Sequence, residues 1–167
     1  SKEGEVKHFS SDEIGNERED VLDELADAVI IGLRDYCQKS GIEQIVLGLS
    51  GGIDSAVAAC VAAEAVGPEN VLGISMPSRF SSQHSMDDAK YTAEALGMEY
   101  ATISIDSHHS GIEQHLEQML EEGSNVAAEN IQSRLRGILV MAHANAQGLM
   151  AIATGNKSEL AQGYCTL

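Results

Sequence analysis

"GLSGGIDSAV", Gly48 to Val57, follows directly on the apolar stretch "QIVL" (Gln44–Leu47) and runs into the alanine-rich "DSAVAACVAAEAV" (Asp54–Val66). A short β-branched run, a glycine pair and then a strong helix former make the pattern of a buried parallel strand, a tight loop and a crossover helix. Gly51 and Gly52 admit backbone angles closed to other residues, so successive N–H groups can converge on an anion. The N-terminus of the next helix adds its partial positive charge at the same place, and Ser50 and Ser55 add hydroxyls. The loop has no lysine, so it is not the G-x-x-x-x-G-K-S/T phosphate loop, and G-x-G-x-x-G is absent as well. Asp54 would be repelled by phosphate unless a cation lay between them, which points to Mg²⁺ bridging carboxylate and phosphate oxygens. A plain strand-to-helix turn, with Gly for the bend and Asp-Ser as caps, uses the same residue types. The full hexad "SGGIDS" in this context favours the phosphate site.

Outward from the loop the alternation repeats. Upstream, Val21, Leu22, Leu25, Val29, Leu33 and Tyr36 recur at helical spacing, with Asn16 and Glu19 placed as a capping box and Gly41 as the stop. The segment before it, residues 1–15, is polar and is expected to be poorly ordered. Downstream, "NVLGISM" (Asn70–Met76) predicts a second strand, Ser82 to Leu96 a helix, and "YATISI" (Tyr100–Ile105) a third strand. Ile112, Leu116, Met119 and Leu120 mark a short helix, a longer one spans Ala127 to Ala146, and "LMAIAT" (Leu149–Thr154) is a fourth strand. The pattern predicts an α/β fold, a parallel sheet with helices on both faces and ligands at the carboxyl ends of the strands.

Composition bounds the partners. The chain has 167 residues, 43% of them hydrophobic, with a formal net charge of -16. That suffices for one domain with a real core. So acidic a surface repels phosphate backbones and anionic lipid, which argues against nucleic acid and membranes as partners. Any anionic ligand needs a local positive spot. The acidic run Glu17, Glu19, Asp20, Asp23, Glu24, Asp27 reads as a solvated helix face. Cys37, Cys60 and Cys165 have no paired spacing, and Cys37 and Cys60 fall among apolar neighbours as core thiols. An odd count with no signal segment suggests a reducing, cytoplasmic setting, and no run reaches membrane-spanning length.

The hexad resembles the pyrophosphate loop of the ATP pyrophosphatases, whose pattern is S-G-G-x-D-S. Two further stretches narrow that resemblance. In "ENIQSRLRG" (Glu129–Gly137), Asn130 and Arg134 are four apart and share a helix face, while Arg136 points elsewhere. In "TGNKSELAQGYCTL" (Thr154–Leu167), directly after the fourth strand, Thr154, Asn156 and Ser158 are also plausible helix caps. Alone, the first stretch reads more readily as a solvated polar face, and the second as helix caps with Lys157 and Glu159 as surface charges. Together and in order, with "SMPSRFSSQHSMDDA" (Ser75–Ala89), they resemble the NAD synthetases, in particular the form carrying a glutamine-hydrolysing domain, from about Val21 to Leu167.

The resemblance implies a three-layer αβα, Rossmann-like doubly wound sheet of the adenine nucleotide alpha hydrolase kind. It implies ATP as substrate on Gly48, Leu49, Ser50, Gly51, Gly52, Ile53, Asp54, Ser55 and Thr154, with Met76 and Arg79 framing adenine or ribose. Asp54 and Glu159 would take Mg²⁺, and Asn130, Arg134 and Glu159 would lie against deamido-NAD. The implied reaction is adenylation of the nicotinate carboxylate with release of pyrophosphate, then displacement of AMP by ammonia, supplied directly or by a separate glutaminase domain. No nucleophilic side chain is needed, so Cys165 and His84 receive no catalytic role. A homodimer or higher homo-oligomer is implied too. The domain reading is a polar segment 1–15 and a synthetase domain 16–167 that is expected to be cut short, because family members continue past "GYCTL". The alternatives are another member of the superfamily, GMP synthetase-like or thiolating, and an ATP-binding module without turnover. A tRNA-thiolating enzyme would want a basic surface and often paired cysteines, which this chain lacks.

Overall fold

Ile45–Gly48 lies in the middle of a parallel sheet. The computed structural model describes residues 11–117, 120 and 125–163. Its elements, in chain order, are α1 (Ser11–Ser40), β1 (Ile45–Gly48), α2 (Ile53–Val66), a 3₁₀ turn (Pro68–Asn70), β2 (Val71–Ser75), α3 (Gln83–Leu96), β3 (Glu99–Thr102), α4 (Asp106–His115), α5 (Asn125–Gln147), β4 (Met150–Ile152) and α6 (Lys157–Ala161). The strand order is β3-β2-β1-β4, all parallel, with Ile45 level with both Val71 and Met150.

Alternation along β1 divides the core between two faces. Ile45 and Leu47 pack with Cys37 of α1, Ala59, Ala62 and Ala63 of α2, and Ala89 and Ala93 of α3. Val46 points the other way, with Ile74, Met76, Ile105 and Ala144 of α5. The alanines of α2 let that helix sit close to the sheet. Ile45, Leu47, Ile74 and Ile105 are wholly buried, each worth about 1.5–3 kcal/mol relative to exposure. The result is the expected three-layer αβα, doubly wound fold.

Four expectations need correction or limitation. Helix α1 begins at Ser11, so Asn16 lies within it and not at its start. The helical stripe Val21, Leu22, Leu25, Val29 and Tyr36 is exposed; α1 touches the core through Leu33 and Cys37 near its end. Cys60 is exposed, because Ala59, Ala62 and Ala63 face the sheet and Cys60 falls on the outer side of α2. The segment 1–10, Met119 and Cys165 lie outside the described residues.

Candidate functional site

The strand order reverses direction between β1 and β4, which is where open parallel sheets place a ligand. A cavity of about 540 Å³ opens there, floored by the ends of β1, β2 and β4 and walled by α5 and the start of α3. Its lining is mostly apolar, including Leu49, Met76, Met86, Val140 and Ile152, with hydroxyls from Ser50, Ser75, Ser81, Ser85 and Thr154. That is the size and character of a small-molecule site.

The glycine loop forms one rim. Gly51 has φ 81°, and a Cβ placed on it would run into the backbone carbonyl of Ser85, so the loop and the start of α3 approach as only glycine allows. The serines hold the loop from within. The buried Ser55 hydroxyl donates to the Gly52 carbonyl at 2.9 Å and accepts from the Ser50 N–H at 3.2 Å. The Ser50 hydroxyl lies 3.1 Å from Ser55 Oγ and accepts from the Gly52 N–H. Ser55 is thus internal scaffolding rather than a free hydroxyl. Helix α2 starts at Ile53 with no side-chain cap, so its first N–H groups face the loop. Ile53 and Asp54 are exposed.

The segment after β4 comes to the same place. The Asn156 amide donates to Asp54 Oδ2 at 3.4 Å, across a hundred residues of chain. Asn156 also caps α6 reciprocally with Glu159: its Oδ1 accepts from the Glu159 N–H at 2.9 Å, and Glu159 Oε2 accepts from the Asn156 N–H at 3.0 Å. Asp54 and Glu159 are therefore tied through one asparagine. Among the described residues no cluster of three His, Cys, Asp or Glu side chains could enclose a metal with protein ligands alone. One or two carboxylates beside a phosphate site is the donor set Mg²⁺ takes, so Asp54 with Glu159 fits that ion.

The remaining candidates separate. Met76 is buried and lines the cavity. Arg79 does not line it; its guanidinium pairs with Glu113 and Ser110 of α4, its N–H donates to Asp106 Oδ1, and it lies 4.8 Å over the Phe80 ring. Asn130 is half-buried and Arg134 exposed, and neither lines the cavity. Arg136 does, with Nε donating to the Met76 carbonyl at 3.1 Å. The helical spacing separated Arg136 from Arg134, and the face it separated off is the one that meets the cavity. Residue 136 is four before Val140 and eight before the core residue Ala144, so the apolar period of α5 was the signal that could have found it. Ser81, in the loop after β2, and Ser85, in the first turn of α3, were also missed.

With the geometry in place, this chain is found similar to NAD synthetases and also, at 33% identity with a TM-score of 0.76 over 86% of this chain and 58% of that one, to the structure of NMN synthetase from Francisella tularensis. The family model described as NAD synthase matches residues 25–167. A glutamine-dependent NAD(+) synthetase of Synechocystis sp. is 50% identical over 146 residues, 87% of this chain and 26% of that protein. One of Rhodobacter capsulatus is 49% identical over 141 residues, 84% of this chain and 26% of that protein. The structure of glutamine-dependent NAD+ synthetase from Acinetobacter baumannii in complex with adenosine diphosphate matches at 39% identity with a TM-score of 0.83, covering 86% of this chain and 27% of that one. The chain spans about a quarter of the length of the curated relatives it matches. The GMP synthetase-like and thiolating alternatives find no support in these matches. The chain belongs to the NAD synthase family.

Proposed function

We propose that this chain carries the ATP-consuming half of NAD synthesis, the amidation of deamido-NAD through an acyl-adenylate. The observation that carries the reading is the convergence, beside one cavity, of a lysine-free glycine loop with Asp54 and the Thr154–Glu159 segment. The adenosine diphosphate in the A. baumannii structure supports a nucleotide there. Adenosine occupies the apolar cavity and the terminal phosphates lie in the loop, against the N–H groups at the start of α2. A nicotinate carboxylate oxygen attacks the α-phosphorus, the bond to the β-phosphate breaks, and pyrophosphate departs. Ammonia then attacks the acyl carbon, AMP leaves, and a proton passes to solvent.

Asp54, with Glu159 tied to it through Asn156, would hold Mg²⁺, which supplies charge neutralisation for the departing pyrophosphate. The loop N–H groups share that charge, and the apolar walls keep water from the adenylate. Asn130 and Arg134, on the outer side of α5, are proposed contacts of deamido-NAD beyond the cavity. The family's glutamine-dependent members support ammonia delivered from glutamine by a separate glutaminase domain. The exposed Val21, Leu22, Leu25 and Val29 of α1 support burial against another copy. A cytoplasmic setting fits an enzyme that needs ATP. No helix among the described residues is long and apolar enough to cross a membrane.

The test uses deamido-NAD labelled with ¹⁸O in its nicotinate carboxylate, with ATP, Mg²⁺ and ammonium. One label per turnover should appear in AMP. Label in inorganic phosphate, with ADP formed, would overturn the adenylate route.

A further inference from the structure

Among the described residues Arg136 is the one charged residue lining the cavity. Its surroundings do not satisfy it. The guanidinium has five donors, and among the described residues its hydrogen bonding is the single one from Nε to the Met76 carbonyl. No described carboxylate pairs with it, whereas Arg79, in the loop after β2, is paired with Glu113. Partial burial in the cavity wall pulls its pKa below the usual arginine value, the mark of a cation that water solvates less fully. A half-buried charge with no carboxylate partner among the described residues is costly unless an anion meets it. The bond to Met76 fixes the fork at its Nε side and leaves the terminal amino groups free to face the cavity. The chain as a whole carries a net charge of -16 and its glycine loop has no lysine, so a bound nucleotide needs a cation from elsewhere in the site.

We propose that Arg136 is the phosphate-facing cation of the cavity, engaging the phosphate nearest the nucleoside of a bound adenosine nucleotide from the wall opposite the glycine loop. The proposal rests on the reading of the cavity as an adenosine phosphate site. Its role differs from that of the loop. The loop N–H groups and Asp54 serve the phosphates that leave, and Arg136 serves the phosphate that stays with adenosine. It would therefore matter for AMP as much as for ATP. A lysine reproduces the charge without the fork, so it cannot hold the Met76 carbonyl and the phosphate together.

Calorimetric titrations of ATP, AMP and adenosine into the wild type, Arg136→Gln and Arg136→Lys test it, with thermal melts as a check on folding. Glutamine keeps a donor for the Met76 carbonyl and removes the charge. Arg136→Gln should lose about tenfold or more in ATP and AMP affinity, the size of a charge-assisted hydrogen bond, with adenosine affinity unchanged. Arg136→Lys should recover part of that loss. An equal loss for adenosine would make Arg136 a strut for the cavity wall and overturn the proposal. So would wild-type protein that binds AMP no better than adenosine, although the cavity would remain an adenosine site. Wild-type protein that binds none of the three would overturn the nucleotide reading itself, and this inference with it.

Discussion

The loop after β1 and the loop after β2 leave neighbouring strands at the same edge of the sheet, yet they commit their charged residues differently. After β1, Asp54 stands exposed, with a 3.4 Å amide contact to Asn156. The loop there is held by glycines and by serines bonding to one another. After β2, Arg79 is drawn away from the cavity by Glu113, Ser110 and Asp106, and Phe80 sets its ring edge-on to the buried His109, 6.4 Å between centroids. Ser78 ties the same loop to Gln132 of α5. One loop presents its charge; the other uses its charge to hold a wall in place. A charged residue in a motif can contact ligand or hold the frame, and the partners it has already found decide which.

The largest effect expected from disturbing this contrast is at Gly51. Alanine there meets two penalties, the left-handed φ of 81° and the Ser85 carbonyl. Gly148 shares the φ, at 72°, but has open space around it. Gly148→Ala should cost about 1–2 kcal/mol and leave ATP binding alone. Gly51→Ala should cost more and abolish measurable ATP binding. Denaturant titration and calorimetry of both variants check this, and equal behaviour would mean that the close approach of α3 to the loop is unimportant.

Asp54→Asn comes next. It should leave the melting temperature unchanged and weaken ATP binding in Mg²⁺ by about 2 kcal/mol, the loss of a charge-assisted contact. Affinity in excess chelator should match the wild type. If the variant bound Mg²⁺-ATP normally, Asp54 would belong with Arg79 as framework.

Arg79→Ala should reverse that pattern. The ion pair is partly solvated, with side chains 45% and 26% exposed, so removing it should cost about 1 kcal/mol of stability or less. ATP affinity should fall by no more than about threefold, since tenfold requires 1.4 kcal/mol. A drop as large as that of Asp54→Asn would place Arg79 on the nucleotide, as the family resemblance implies.

These loops also show how much was legible in advance. The αβα fold followed from periodicity, because β1, β2 and β4 are short apolar runs and the described helices other than α4 end at or near a glycine. The loop and the segment from Thr154 were legible because glycine, hydroxyl and carboxylate types stand directly after strands. Pairing was not. Nothing in the one-dimensional pattern says that Arg79 finds Glu113, thirty-four residues on, or that Arg136 looks inward while Arg134 looks out. The stripe on α1 was misjudged for a related reason: helical spacing reports an apolar face but not what lies against it.

The smallest effect concerns the two described thiols. Cys37 is buried, and burial raises its pKa; Cys60 is exposed. Iodoacetamide at pH 8 should modify Cys60 in the folded protein and reach Cys37 only after denaturation, as read by peptide mass spectrometry. Equal labelling in the folded state would contradict the packing of α1 against the sheet.

The central claim is that the lysine-free loop serves cleavage between the α and β phosphates. The most direct measurement is the product analysis of ATP turnover with Mg²⁺, deamido-NAD and ammonium, resolved by ³¹P NMR. AMP and pyrophosphate should appear in equal amounts, matched to the NAD formed and absent without deamido-NAD. ADP and inorganic phosphate, or ATP consumption independent of deamido-NAD, would contradict the account.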